Sequence, residues 1–371
     1  MAGPVRRLAR HAARLSGRAA MVSDPGRRAF TGASIGAALA ALFGGPAWAE
    51  NVAALAHVDP ELRAAAAALI ARPIGPLCDA RLAALRAGAR ARAEPPRPDV
   101  PIAERRIPGA RGAPDVTIFI VNAAPGTARP AILHMHGGGF VLGAARSELR
   151  YVQEIARAID AVVVSVEYRL APETRFAGAV EDNYAALRWL YRHAGAIGAD
   201  PRRIAVMGES AGGGHAALLA IAARDRGEVP LVLQLLLYPM LDDRTGSTRR
   251  PAPHIGTILW DGAANAYGWR SYLGVEPGGA DVPAAAVPAR LADMSGLAPA
   301  FIAIGGIDLF VDEAITYARR LNAAGVATEL LVQPGAFHAF DRLAPETRAA
   351  RRFSAAKLAA LRRAFVQPDP G

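Results

Sequence analysis

The chain has 371 residues, 52% of them hydrophobic, which is enough apolar material for a sizeable core, and its one cysteine, Cys78, excludes an intramolecular disulfide. A net charge of +10 could suggest nucleic acid, but the first 49 residues carry seven arginines and a single acid, which leaves only +4 on the other 322. No basic stripe interleaved with aromatics appears, so no nucleic-acid partner is expected; the basic charge is almost all arginine, Lys357 being the only lysine, as GC-rich coding would produce.

The N-terminus reads as an address. "RRAF" at 27–30 is followed by the uncharged, small-residue stretch "TGASIGAALAALFGG", and Ala47-Trp48-Ala49 before Glu50 fits a small-x-small cleavage site. A twin arginine ahead of a mildly apolar segment resembles a bacterial Tat export signal. The segment is shorter than the roughly 20 apolar residues of a spanning helix. Residues 1–49 are therefore expected to be a signal region, with Met21 as the true start, and the mature protein to be periplasmic or secreted without a stable membrane anchor. The alternative is an alanine-rich helix that stays on the protein.

Two N-terminal helices are predicted in 59–93, interrupted at "RPIGP" (72–76), and "EPPRPDVP" (94–101) reads as a linker because its prolines suit neither helix nor sheet interior. Strands then alternate with helices. "VTIFIV" (116–121), "AILHMH" (131–136) and the near-continuously apolar "AVVVSVEY" (161–168) are predicted strands, with a helix at 147–159 between the last two. A helix at 178–194, a strand at 203–208, a helix at 210–225 and a strand at 231–239 follow. Residues 244–288 break the alternation and are read as part of a lid. A strand at 299–306, a helix at 312–324, a strand at 328–334 and a C-terminal helix from about 345 complete the series. This pattern predicts an α/β fold with a mostly parallel sheet, helices on both faces, and ligands at the carboxyl ends of the strands.

The chemistry concentrates at those ends. In "MGESAGGGHAA" (207–217) a serine sits directly between a predicted strand and a predicted helix, the context of a nucleophile elbow. Gly208 and Gly212 remove side chains where strand and helix would touch, and the helix N-terminus favours developing negative charge on Ser210. A serine needs a base. Downstream histidines are His215, on the same helix, His254, in the irregular stretch, and His338, in "GAFHAF" just after a strand; His338 is the candidate base. Between serine and histidine, "FIAIGGIDLFVDE" offers Asp308 at the strand end as the acid that orients the imidazole, with Asp312 as a structural acid at a helix start. The run "HMHGGGFVLG" (134–143) supplies backbone N–H groups of Gly138 and Gly139 that, with that of Ala211, can hold an oxyanion. A phosphate loop is the rival account of such a run, but the Gly-Lys-Ser/Thr ending is missing. His136 is expected to shape this loop rather than react.

Together these segments resemble the hormone-sensitive-lipase-like (bacterial family IV) carboxylesterases of the α/β-hydrolase fold: "HGGGF" (136–140), "YRLAPE" (168–173), "GESAGG" (208–213), "DLFVDE" (308–313) and "GAFHAF" (335–340), in the family's order. The resemblance implies a triad of Ser210, Asp308 and His338, an oxyanion hole of Gly138, Gly139 and Ala211, and no metal or organic cofactor. It also implies a cap made by residues 50–95 with a contribution from about 244–288, over a catalytic domain at 96–371. Glu209 replaces the family's aspartate before the serine, Gly214-His215 stands where an asparagine often follows the glycines, and Phe176-Ala177 lacks the usual proline.

The expected function is a serine hydrolase acting on a small-molecule ester of short to medium acyl chain through an acyl-enzyme. An amidase, lactonase or formamidase would use the same groups; a ligand-binding pseudoenzyme would be expected to have lost one of them. A homodimer is compatible with the sequence. Export predicts that expression in a Tat-competent bacterium yields a mature N-terminus at Glu50; N-terminal sequencing that begins at Met1 or Met21 would contradict it.

Overall fold

The computed structural model describes residues 55–366; the predicted signal region at 1–49 lies outside them. Two helices, α1 (Arg63–Ala71) and α2 (Asp79–Ala91), precede an eight-stranded sheet. The strands are β1 (Ile102–Ile107), β2 (Val116–Val121), β3 (Arg129–Met135), β4 (Val162–Glu167), β5 (Ala199–Glu209), β6 (Leu233–Leu237), β7 (Ala300–Gly305) and β8 (Thr328–Gln333). Their order is β1-β2-β4-β3-β5-β6-β7-β8, antiparallel at β1–β2 and β2–β4 and parallel from β4 to β8.

The connections fix where a site can form. From β3 the chain steps to β4 on one side through α3 (Leu149–Ile159); from β4 it returns past β3 to β5 through α4 (Phe176–Ile197), then moves on to β6 through α5 (Ala211–Arg226). Right-handed crossovers in opposite directions place α3 on one face and α4 and α5 on the other. Accordingly α4 packs on α5, and α3 packs on the C-terminal helix, Arg348–Phe365. The reversal between β3 and β5 opens a crevice at their carboxyl ends. Both strands are buried around that point, with Ile132, Leu133, Met135, Val206 and Met207 fully inaccessible.

The predicted strands and helices are present with boundaries shifted by a few residues, and the elements not anticipated include a strand and a three-turn helix. β1, "IAERRI", pairs only with β2 and leaves four successive residues exposed, so an edge strand here carries no alternation to read. The stretch read as irregular, 244–288, contains α6 (Gly262–Leu273), whose start is capped by the Asp261 side chain accepting from Ala264 N at 2.8 Å and whose end is Gly274 in the left-handed region, φ 72°. Its first residue, Gly262, and its internal Gly268 lower helix propensity and hide it, while both cap signals were in the sequence.

Candidate active site

β5 ends at Glu209, and Ser210 turns the chain into α5 with φ 57° and ψ −121°, a left-handed backbone costly for a side chain-bearing residue. The turn is held by Ser210 N donating to Leu237 O (2.9 Å) and by Gly214 N and Met240 N donating to Ser210 O (3.1 and 2.9 Å). Gly212 permits it: a Cβ there would lie 2.0 Å from the Met135 carbonyl oxygen at the end of β3.

Three predicted side chains converge on this turn. Asp308 follows β7, His338 follows β8, and the imidazole bridges them: Nδ1 is 2.8 Å from Asp308 Oδ2, and Nε2 is 3.0 Å from Ser210 Oγ. With its proton on Nδ1 facing the carboxylate, the ring offers Nε2 as acceptor to the serine hydroxyl. Phe310 N donates to the other oxygen of Asp308 at 3.0 Å, and the rings of Tyr238 and Phe310 pack edge-on against His338 at 5.0 and 5.3 Å. All three triad positions are buried. Asp312, read as a structural acid at a helix start, lies exposed in the first turn of α7 (Val311–Ala323); beside it the buried Glu313 accepts from Leu241 N, Asp242 N and the Thr245 hydroxyl. Burial pushes the Glu313 carboxyl well above its ordinary range despite those donors.

The glycine run lies beside the nucleophile. A Cβ on Gly137 would come within 2.9 Å of Glu209 O and 3.4 Å of Ser210 Cβ, so Gly138 and Gly139 enter the loop next to the serine. Ala211 is the first residue of α5, and its N–H has no acceptor within its own helix. The ring of Trp260 lies over Gly139, where a Cβ would fall 2.2 Å from it. His136 shapes the loop as expected: its Nδ1 is 2.9 Å from Gly137 O, its carbonyl accepts from Tyr168 OH at 2.6 Å, and its ring stacks on Tyr168 at 4.3 Å.

Residues 69–77 and 257–264 enclose a cavity of about 390 Å³ lined by Ile70, Pro73, Ile74, Leu77, Ile258 and Trp260 among others. Trp260 thus belongs to both the cavity wall and the loop contact. From α2, Arg86 reaches the same loop: Nε donates to Val141 O (2.8 Å), one terminal nitrogen to Ala171 O (2.8 Å), and the guanidinium pairs with Glu173 at 2.7 Å. Tyr267 of α6 donates to Asp79 of α2 at 2.6 Å. His254 is stacked on His57 at 4.4 Å.

Beneath the serine lies a polar network that sequence reasoning missed. Glu209 Oε2 accepts from His134 Nε2 at 2.9 Å, leaving Nδ1 to accept the Ser165 hydroxyl at 2.9 Å; Glu209 Oε1 accepts from Tyr151 OH at 3.0 Å. Burial pushes the Glu209 carboxyl up, but His134, Arg342 and Lys357 outweigh it and hold it below its ordinary value. The available signal was the acid itself: a buried carboxylate at a strand end must be paired, and His134 stands on the adjacent strand opposite Met207, two residues before it and on the same face.

His215 does not reach the triad. It packs edge-on between Phe140 (5.1 Å), Tyr168 (4.5 Å) and Tyr272 (5.5 Å), and among the described residues neither ring nitrogen has a hydrogen-bond partner. Burial, and the nearby His136, lower its pKa from 6.5 to about 3.

A model of the alpha/beta hydrolase fold matches residues 132–342. Esterase LipI of Mycobacterium tuberculosis is 39% identical over 240 residues, 64% of this chain and 74% of that protein. Carboxylesterase NlhH of the same organism is 36% identical over 281 residues, 72% and 84% of the two chains. Among solved structures, a bacterial heroin esterase superposes with a TM-score of 0.76 at 38% identity, covering 84% of this chain and 99% of that one.

An imidazole kept neutral when folded, yet titrating near 6.5 when unfolded, lowers stability as pH falls below 6.5. In urea unfolding, wild type is expected to lose about 2 kcal/mol more than His215→Leu between pH 7 and pH 5. Equal losses would place the acid sensitivity elsewhere.

Proposed function

The chain belongs to the hormone-sensitive-lipase-like family of α/β hydrolases and is a hydrolase of the esterase type, and on that footing we propose that it cleaves carboxylic esters of short to medium acyl chain through an acyl-enzyme on Ser210. The observation that carries this reading is the continuous Ser210–His338–Asp308 contact, 3.0 and 2.8 Å, at the mouth of the β3–β5 crevice.

In the proposed reaction, Ser210 Oγ attacks the ester carbonyl carbon while its proton passes to His338 Nε2. The carbonyl oxygen becomes an oxyanion held by the N–H groups of Gly138, Gly139 and Ala211. Asp308 stays ionised and stabilises the imidazolium through Nδ1. The imidazolium gives its proton to the leaving alkoxide, the C–O bond breaks, and the alcohol departs. Water then enters, His338 takes one proton from it, and the hydroxide attacks the acyl-enzyme. Collapse returns the proton to Ser210 Oγ and releases the carboxylic acid. This sequence needs no group from outside the chain except water.

The preference for short to medium acyl chains is supported by the size of the apolar cavity at 69–77 and 257–264 and by Trp260, which joins that cavity to the oxyanion loop. In this reading α1, α2 and the 257–264 segment act as a cap over the acyl chain. The names of the relatives, an esterase and a carboxylesterase, support an ester rather than an amide as the substrate class.

A fluorophosphonate probe should label Ser210, and Ser210→Ala should abolish labelling and lower hydrolysis of p-nitrophenyl esters at least about a thousandfold while leaving the fold intact. A folded wild-type protein that resists the probe would defeat the reading. In a panel of p-nitrophenyl esters of graded length, Trp260→Ala should move the optimum of kcat/KM toward longer acyl chains; an unchanged profile would take Trp260 out of the acyl pocket.

A further inference from the structure

The chain contains 42 arginines and one lysine, and that lysine is buried. Lys357 lies in the C-terminal helix, 4% exposed. Its Nζ donates to Tyr151 OH at 3.1 Å, sits 3.5 Å from Asp341 Oδ2, and lies 4.8 Å from the centre of the Tyr151 ring. Tyr151 OH in turn donates to Glu209 at 3.0 Å, so the phenol passes one hydrogen bond on while accepting another. Glu209 immediately precedes Ser210. Asp341 comes three residues after His338, in a short helix, Phe340–Leu343. One ammonium therefore joins the turn that carries the serine to the turn that carries the histidine.

A second physical observation explains the residue type. The Arg342 guanidinium already occupies a position 4.2 Å from the same Tyr151 ring. A second guanidinium would bring a planar fork with five N–H donors into the same buried space, whereas an ammonium is a compact point charge that reaches the Tyr151 hydroxyl and the Asp341 carboxylate together. In a chain that uses arginine at every other Lys/Arg position, the one lysine falls in this buried space.

We propose that Lys357 is a positioning residue for the reaction: it braces the nucleophile turn, through Tyr151 and Glu209, against the histidine turn, through Asp341, and so sets the Ser210–His338 separation. The inference rests on the function proposed above. It assigns the C-terminal helix a share in the geometry of a site whose reacting atoms it does not touch.

The test compares Lys357→Met, which keeps much of the shape and removes the charge, with Lys357→Arg, which keeps the charge and changes the shape. Active sites are counted by fluorophosphonate titration, and kcat is expressed per titrated site. Both variants are expected to lose about 10–100-fold in kcat with KM changed less than twofold, as misplacement of reacting groups predicts. Glu209→Gln combined with Lys357→Met should lose less than the product of the two single losses, because both cut one chain of contacts. A kcat per site within twofold of wild type, with only the melting temperature lowered, would reduce Lys357 to a structural role and overturn the proposal. If neither lysine variant folds, Asp341→Asn releases the histidine end of the brace, and unchanged kcat there overturns it equally. A wild-type protein that hydrolyses esters beside unimpaired variants sinks the brace alone; one that neither labels nor hydrolyses sinks the function as well.

Discussion

The structure depends on the close approach of β3 and β5 at the point where the chain reverses its direction across the sheet. The first residues of α5 pass so near the end of β3 that only hydrogen fits on Gly212 against the Met135 carbonyl. That approach forces Ser210 into a left-handed backbone, and the strain is held by hydrogen bonds from β6 and from the loop that follows it. Once the serine is fixed there, the loop after β3 can only pass alongside it, and the turns after β7 and β8 arrive at the same rim because all these strands run parallel. The site is thus a by-product of topology before it is an arrangement of side chains.

Much of this was legible in the sequence because strand ends are local signals. Ser210, Asp308 and His338 each follow an apolar run of strand length, so placing them on one rim required only the parallel order of the sheet. The glycine run was legible for the same reason. What escaped detection is held by contacts between residues far apart along the chain. Trp260 covers Gly139, Arg86 grips Val141 and Ala171, and Tyr151 links Glu209 to Lys357. No periodicity or spacing encodes such partners. β1 and α6 were missed differently: the first is an exposed edge with charges at its centre, and the second carries two glycines that mask its good caps.

The polar interior under the serine also shows how an acid can be accommodated next to a nucleophile. Glu209 is nearly inaccessible, and an unpaired carboxylate there would be expensive. His134 and Tyr151 supply two direct donors from the neighbouring strand and the covering helix, while Arg342 and Lys357, packed against Tyr151, contribute charge. His215 meets the opposite fate. Among the described residues it has no hydrogen-bond partner, and the fold accommodates it by keeping it uncharged among three aromatic rings.

The guanidinium of Arg86 bears on how little of the chain could be kept. The sheet begins at Ile102, yet two carbonyls flanking the glycine loop, and the carboxylate of Glu173, find their donor sixteen residues earlier. Trimming the protein to its sheet and crossover helices would leave those oxygens to water and free the loop on one side. Through Arg86 the leading helices are thus a structural member of the scaffold upstream of its first strand.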